Sequence, residues 1–164
     1  TQWSLNTSDF TWVYPGANTL LGFLSAAADT LTMQAATRYR FKAHLEVSNG
    51  TTSHTFQFGF GGTATFTDIK YKTQAWAGVA QALATTMAVK DTIVATAAVI
   101  TGAITATNIC VEVEGEFAIN AAGTLIPSIA MSADPTGTIL VITGSFFECW
   151  PIGSNTAVSV GAWA

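Results

Sequence analysis

Three glutamates on one predicted strand are the residues whose type and spacing most resemble a catalytic or cation-binding group. Glu112, Glu114 and Glu116 recur at every second position. Alternate residues of a β-strand point to the same face, with neighbours about 7 Å apart. Carboxylates at that separation can serve as the acid and base of a glycoside hydrolase or as ligands for calcium. A glycosidase site and a calcium site are therefore hypotheses to weigh.

A matching set of basic residues favours a structural role for these glutamates. Arg38, Arg40 and Lys42 also recur at every second position, on another predicted strand. Opposite charges across neighbouring strands favour one pairing register, and exposed pairs of this kind contribute modestly to stability. We therefore predict a structural charge ladder built from both sets, and no enzymatic activity.

Neither histidine belongs to a sequence motif for a metal site. His44 and His54 are not part of a ligand-spaced cluster, so each is expected to be hydrogen-bonded locally. Residues 50–53 offer hydroxyl groups beside His54, but adjacent residues of an extended chain point apart, which argues against a nucleophile and its base. The Gly59–Gly62 stretch lacks the Lys-Ser/Thr pair of a phosphate loop. The sequence predicts no metal and no cofactor.

Two cysteines are too few for a disulfide framework or a cysteine-rich zinc site. Cys110 and Cys149 both lie within predicted strands, where a buried free thiol behaves as a small hydrophobic side chain. Free thiols are the favoured interpretation. A single bridge is the alternative if the two strands are neighbours.

Composition bears on the partners of the chain. Of its 164 residues 10% are charged and 49% are hydrophobic, and the formal net charge is −4. Typical domains have about a quarter of their residues charged, so a lone monomer would expose much apolar area, which burial in an oligomer relieves. The chain has no dense basic patch for nucleic acid and no apolar run as long as a membrane helix. We predict a homo-oligomer with neither nucleic acid nor membrane as a partner.

Alternation of apolar and polar residues predicts the strands that carry the charges. It runs from Arg38 to Val47 and resumes at Phe56, and the Asn49-Gly50 pair between them is typical of a tight turn. A β-hairpin is therefore predicted here. A second clear strand, residues 108–120, is followed by turn residues and by Leu125–Ala133, its predicted partner strand.

The whole pattern predicts an all-β fold. A turn at residues 134–137 precedes one long final strand, Thr138–Trp150, and the sum is about eight short strands without a long helix. Strands at such spacing point to an antiparallel β-sandwich or jelly roll. The sandwich is assigned to residues 30–164, and residues 1–29 lie outside it.

Three stretches of the chain form a recognisable set. They are GTTSHTFQFGFGGTATFTDIKY (Gly50–Tyr71), NAAGTLIPSIAMSA (Asn120–Ala133) and SFFECWPIGSNTAVSVGAW (Ser145–Trp163), preceded by TRYRFKAHLEVS. Together they resemble a module of tailed-bacteriophage virion proteins, found in capsid-decoration proteins, head fibres and tail fibres. The resemblance covers about residues 30–164 and implies a trimeric sandwich of jelly-roll or tumour-necrosis-factor-like form without enzymatic activity. The acidic ladder and Cys110 depart from that module.

Aromatic residues near both ends are the predicted contact residues. Residues 1–17 hold four of them without a strand or helix period: Trp3, Phe10, Trp12 and Tyr14. Such a segment packs on its own domain or docks on a neighbouring chain, and docking on a capsid or a neighbouring subunit is the interpretation we favour. Phe147, Trp150 and Trp163 are predicted to contribute to trimer contacts or to C-terminal packing.

These expectations combine into two functional hypotheses. The first is a non-enzymatic decoration or head-fibre protein of the virion, whose trimer stabilises the capsid shell to which it binds. The second is a tail-fibre domain that recognises a host surface glycan through its exposed turns, Asn49–His54 or Asp134–Gly137. A glycosidase that uses the glutamate ladder is the least favoured hypothesis.

Overall fold

The chain folds into two antiparallel β-sheets packed face to face. A computed structural model describes residues 1–25, 30–78 and 86–155. In chain order the strands are β1 (Gln2–Leu5), β2 (Phe10–Thr11), β3 (Leu21–Gly22), β4 (Leu31–Met33), β5 (Thr37–Ser48), β6 (His54–Gly62), β7 (Thr65–Ala77), β8 (Thr86–Thr92), β9 (Thr96–Ile104), β10 (Asn108–Ala121), β11 (Gly123–Met131), β12 (Leu140–Val141) and β13 (Phe146–Ser154). The predicted antiparallel sandwich is confirmed, and the described residues hold more strands than predicted because several are only two to four residues long.

The larger sheet carries the charged residues. Its strand order is β1-β13-β5-β10-β7-β8, and the short strands β2 and β12 extend it beside β5. The smaller sheet has the order β3-β11-β6-β9, with β4 also paired to β11. Within the described ranges there is no helix that could cross a membrane.

Aromatic side chains from both sheets form the core. Phe41 of β5 meets Phe60 of β6 edge to face, with ring centroids 5.2 Å apart. Phe60 also contacts Phe117 at 5.8 Å and Phe147 at 5.9 Å, so one ring of the smaller sheet packs against three strands of the larger. Edge-to-face pairs of this kind add to the stabilisation that burial provides. The inward positions of β5 and β10 are therefore fixed, and their other faces are left to the charged residues.

The predicted hairpin at Asn49-Gly50 is wrong. β5 and β6 are strands, but β5 pairs with β10, β12 and β13, whereas β6 pairs with β9 and β11. The connection crosses from one sheet to the other, and the amide of Asn49 donates to the carbonyl of Thr107 at 2.8 Å. A Cβ on Gly50 would collide with the carbonyls of Pro135 and Thr136. Gly50 therefore permits close packing of two connections rather than a tight reversal.

Two other predicted connections also differ. β11 is a strand as predicted, but it lies in the sheet opposite β10 rather than beside it. The single long strand predicted for residues 138–150 is instead β12 and β13, separated by a turn in which Gly144 has a φ of 96°. Left-handed backbone of this kind interrupts a strand and is favourable for glycine.

The N-terminal segment is part of the sandwich instead of an irregular arm. β1 pairs with β13, and β2 pairs with β12. Trp12 is 1% exposed, and its indole Nε1–H donates to the carbonyl of Leu21 at 3.4 Å. The prediction of an aperiodic arm missed these strands because they are too short to show a period.

Candidate functional site

The outer face of the larger sheet carries a row of alternating charges that crosses five strands. Its members lie opposite one another in the strand register, in the order Glu148, Lys42, Glu114, Lys72 and Asp91. Each neighbouring pair has opposite charge, and such cross-strand pairs contribute roughly 0.2–1 kcal/mol each. Slipping any strand by one residue would turn its charges into the core. The row therefore specifies the register of this sheet.

A second row lies beside the first, and its Glu116 forms a direct ion pair. Arg40 faces Trp150 on one side and Glu116 on the other, and Glu116 faces Lys70. Arg38 contacts Glu116 at 3.0 Å and Asp68 at 3.3 Å. The two ladders predicted from the sequence therefore lie on neighbouring strands.

The glutamates do not stand free as a pair of catalytic carboxylates. Glu112 lies 2.6 Å from His44, Glu116 is bound by Arg38, and Glu114 has Lys42 and Lys72 as its register partners. Each of the three therefore has a basic residue or a histidine beside it. This arrangement is what a structural charge network requires.

A groove of about 670 Å³ lies over the end of these rows. Charged side chains, among them Lys72 and Glu116, line one part of it, and the connection between β8 and β9 lines another through Ile93 and Val94. Ile93 is 74% exposed and Val94 is 52% exposed. The groove thus joins a polar surface to an apolar edge, which suits a protein partner better than a small charged ligand.

Tyr71 lies at this groove, and its burial predicts a loss of stability at high pH. Burial raises the pKa of the Tyr71 phenol from 10 to about 12, and the nearby Thr92 hydroxyl offsets only part of the rise. A raised folded-state pKa stabilises the fold below pH 10, and this contribution is lost as the pH rises through 12. The free energy of unfolding should therefore fall between pH 10 and pH 12. We expect Tyr71→Phe to reduce this fall by about 1–2 kcal/mol, allowing for partial solvent screening.

Urea unfolding midpoints measured from pH 7 to 12 test this expectation. The wild-type midpoint should fall more steeply above pH 10 than that of Tyr71→Phe, with the pH 7 values as the baseline. Both proteins retain Cys149, whose pKa burial raises to about 12, so a shared fall from the thiol is expected in each. Parallel curves for the two proteins would contradict the assignment to Tyr71.

The two cysteines are free thiols, as predicted. Cys149 lies opposite Phe41 on the inner face and Cys110 lies opposite Glu46 on the outer face, so β5 separates them. Burial, with help from Glu46 and Glu112, raises the pKa of the Cys110 thiol to about 11. The strand register therefore explains why the alternative of a single bridge fails.

The predicted contact residues near the ends separate into core and surface. Trp12 and Phe147 are in the chain's own core at 1% and 0% exposure, so neither side chain is available for docking or trimer contact. Phe10 and Tyr14 are half-buried and pack against the core. Trp150 is half-buried on the outer face, opposite Arg40.

Two of the predicted contact residues have less structural information. Trp3 belongs to β1, but the structure describes only its backbone, and its Cα partner is Glu148. Trp163 lies outside the described residues. Their predicted roles in docking and in C-terminal packing stay predictions.

A cluster of metal-ligating side chains on the outer face was not predicted from the sequence. Ligand atoms of His44, Glu46 and Cys110 all lie within 4.8 Å of one another. The signal was present as two short patterns, His-x-Glu at residues 44–46 and Cys-x-Glu at residues 110–112. It could not be used from the sequence, because the facing ladders predict that the two strands are neighbours but not the register that sets Cys110 opposite Glu46.

The two turns named as candidate glycan-binding loops meet in space. The amide of Thr52 donates to the carbonyl of Pro135 at 3.1 Å, and the hydroxyls of Thr52 and Thr136 are 3.1 Å apart. His54 is 2% exposed, so it lies beneath this surface rather than on it. The exposed part is a small hydroxyl-rich patch.

Comparison with known proteins does not assign a function to this chain. No protein-family model and no curated protein matches the chain. A function for the chain is therefore inferred from its geometry and from the motifs in its sequence.

Proposed function

We propose that this chain is a non-enzymatic structural protein of the tailed-bacteriophage virion surface, of the capsid-decoration or head-fibre type, which assembles as a homotrimer. The proposed assembly is supported by an exposed apolar edge, which consists of β8 and its connection to β9. Val89 is 62% exposed there, and Ile93 and Val94 are the other members. Adjacent exposed apolar side chains on a charge-poor protein favour burial against another subunit.

The virion setting is supported by the motifs that resemble the phage module. The Gly50–Tyr71 motif includes all of β6 and the start of β7, and the Asn120–Ala133 motif includes all of β11. Both lie within the sandwich, and the third motif begins at Ser145, just before β13. The motifs therefore belong to the scaffold, in keeping with a structural role.

The proposed role works by mass action. A trimer that binds the assembled capsid but not its separate subunits stabilises the shell in proportion to the free energy of binding. Attachment by residues 1–29 would use exposed positions of that segment, such as Val13 at 70% exposure. Trp12 cannot contribute directly because it is internal.

Two variants separate assembly from attachment. Ile93→Asp places a charge on the proposed subunit edge and should convert the trimer to a monomer in light-scattering measurements. Val13→Asp makes the same kind of change outside that edge and should leave the trimer intact, while reducing attachment to particles of the phage that encodes the chain. A monomeric wild type, or a trimer that survives Ile93→Asp, would contradict the proposed interface.

Imaging of labelled virions tests the location directly. An antibody against the chain should decorate the capsid lattice under the electron microscope. Label confined to the tail would contradict the decoration and head-fibre proposal and favour a fibre instead.

Recognition of a host glycan is the second candidate, and the meeting of the two turns favours it. The patch formed by Thr52 and Thr136 offers hydroxyl groups at 3.1 Å from each other, and sugars are bound through such polar groups. A glycan array with the purified trimer tests it. Binding that Thr136→Val abolishes would favour this candidate, and a blank array would count against it.

A further inference from the structure

Four side chains on β5 and β10 form a compact square on the outer face. His44 lies opposite Glu112 and Glu46 lies opposite Cys110 in the antiparallel register. Because residues two apart share a face, all four project from the same side of the sheet. The ligand atoms of His44, Glu46 and Cys110 lie within 4.8 Å of one another.

Their separations are close to those of a tetrahedral zinc site. Zinc bonds of about 2.0–2.3 Å hold neighbouring ligand atoms about 3.3–3.8 Å apart. His44 Nε2 is 3.5 Å from the Glu46 carboxylate, which already falls in this range. The Glu46 side chain is 53% exposed, so its rotation can close the remaining gap to Cys110.

Glu112 holds the His44 ring in the orientation that a metal ligand needs. Its carboxylate lies 2.6 Å from His44 Nδ1. An ionised carboxylate only accepts hydrogen bonds, so Nδ1 carries a proton, which leaves Nε2 as the ring nitrogen that can bind a metal. The ring also stacks on Phe146, with centroids 6.1 Å apart and an interplanar angle of 24°. Carboxylate–histidine pairs of this kind orient the ring and raise its basicity toward a metal.

The backbone of Glu46 is held from the opposite side. Its amide donates to the Ser145 hydroxyl at 3.0 Å, and its carbonyl accepts from the amide of Ile142 at 2.8 Å. The connection between β12 and β13 therefore fixes the position from which the Glu46 carboxylate extends. Supporting contacts of this kind reduce the loss of entropy on metal binding.

We propose that His44 Nε2, the Glu46 carboxylate and Cys110 Sγ bind one Zn²⁺ ion, with Glu112 as the residue that orients His44. Imidazole and thiolate suit zinc, whereas calcium and magnesium take oxygen ligands. A cleft of about 560 Å³, lined in part by Trp76 and Ile142, opens beside these residues. A water molecule from this cleft completes the tetrahedron.

Zinc binding releases one proton from the protein. The Cys110 thiol gives its proton to solvent as the sulfur–zinc bond forms, and the thiolate and Glu46 together neutralise the ion. The bound ion links β5 to β10, so it stabilises the folded protein in a concentration-dependent way. This site lies apart from the β8–β9 edge, and its test does not depend on the proposed assembly.

Titration of the chelator-treated, reduced protein with Zn²⁺ and with Co²⁺ tests the site. We expect one equivalent of each to bind, and the cobalt form to show a thiolate-to-metal charge-transfer band with intense tetrahedral absorption. Cys110→Ser should abolish that band and weaken zinc binding by at least about 10-fold. Glu112→Ala should weaken zinc about 10–100-fold while the band remains.

Glu114→Gln is the matched control, because Glu114 lies two residues beyond Glu112 on the same face. Glu114→Gln removes one negative charge, as Glu46→Gln does, but it leaves all three proposed ligands in place. This variant should therefore bind zinc as the wild type does. Circular dichroism establishes that each variant is folded, and His44→Gln provides a second ligand variant. The proposal is overturned if wild type binds no stoichiometric zinc, if Cys110→Ser keeps the band, or if Glu114→Gln weakens binding as much as Glu46→Gln.

Discussion

Replacing Trp12 with alanine is expected to lower the free energy of unfolding by about 3–5 kcal/mol. The side chain is 1% exposed, and the ring packs against Tyr14 with centroids 6.5 Å apart. Alanine would leave a cavity and would remove the indole N–H that donates to the carbonyl of Leu21. Urea denaturation followed by circular dichroism measures the loss.

Val13→Ala is the matched control for this variant. Val13 is the next residue in the chain and is 70% exposed, so its truncation should change the unfolding free energy by less than about 0.5 kcal/mol. If Trp12→Ala were as mild as Val13→Ala, Trp12 would belong to a docking arm after all. A large difference would instead place it in the core of the sandwich.

The position of Trp12 also changes how attachment has to be tested. Deleting residues 1–14 would remove β1 and β2, and with them the strand that pairs with β13. The truncated chain would then lose stability together with any docking contact. Point variants at exposed positions such as Val13 separate the two effects, because they leave the strand pairing intact.

Alternation in the sequence predicted strands well but not their partners. The strand predicted at residues 38–47 is β5, and the one predicted at 125–133 is β11. In a sandwich, both sheets face one core, so a strand shows the same alternation whether its neighbour in sequence pairs with it or packs across from it. Alternation alone therefore predicts β5 beside β6 and β10 beside β11, whereas each of these pairs is divided between the two sheets.

The candidate site was predictable only as far as the pairing of two strands. Matching periods in Arg38–Lys42 and Glu112–Glu116 indicated facing ladders. The contributions of Glu148 and Asp91 depend on which strands flank β5 and β7, and no local pattern encodes that choice. The cluster of His44 with Cys110 was hidden because facing ladders do not fix the register that sets Cys110 opposite Glu46, and residues 44 and 110 come close only in the folded sheet.

Gly115→Ala is expected to destabilise the protein by about 3 kcal/mol, near the upper end of the usual cost of overpacking. Gly115 lies between Phe41 and Tyr71 in the register of β5, β10 and β7. An added Cβ would collide with the Lys70 carbonyl and the Tyr71 Cβ, and would lie 2.7 Å from the Tyr71 Cα. These atoms belong to the neighbouring strand, so relief requires β7 to move away and weaken its pairing.

Gly61→Ala on β6 isolates this steric effect from the general effect of adding a methyl group. The nearest atom to its added Cβ is the Ser128 hydroxyl at 3.6 Å, an ordinary contact. Removing a glycine also reduces the freedom of the unfolded chain, so Gly61→Ala should be neutral or slightly stabilising in the same urea experiment. Equal midpoints for the two variants would mean that β7 can shift at Gly115 without cost. A selective loss at Gly115 would establish that the charged rows are held in register by a backbone contact as well as by their charges.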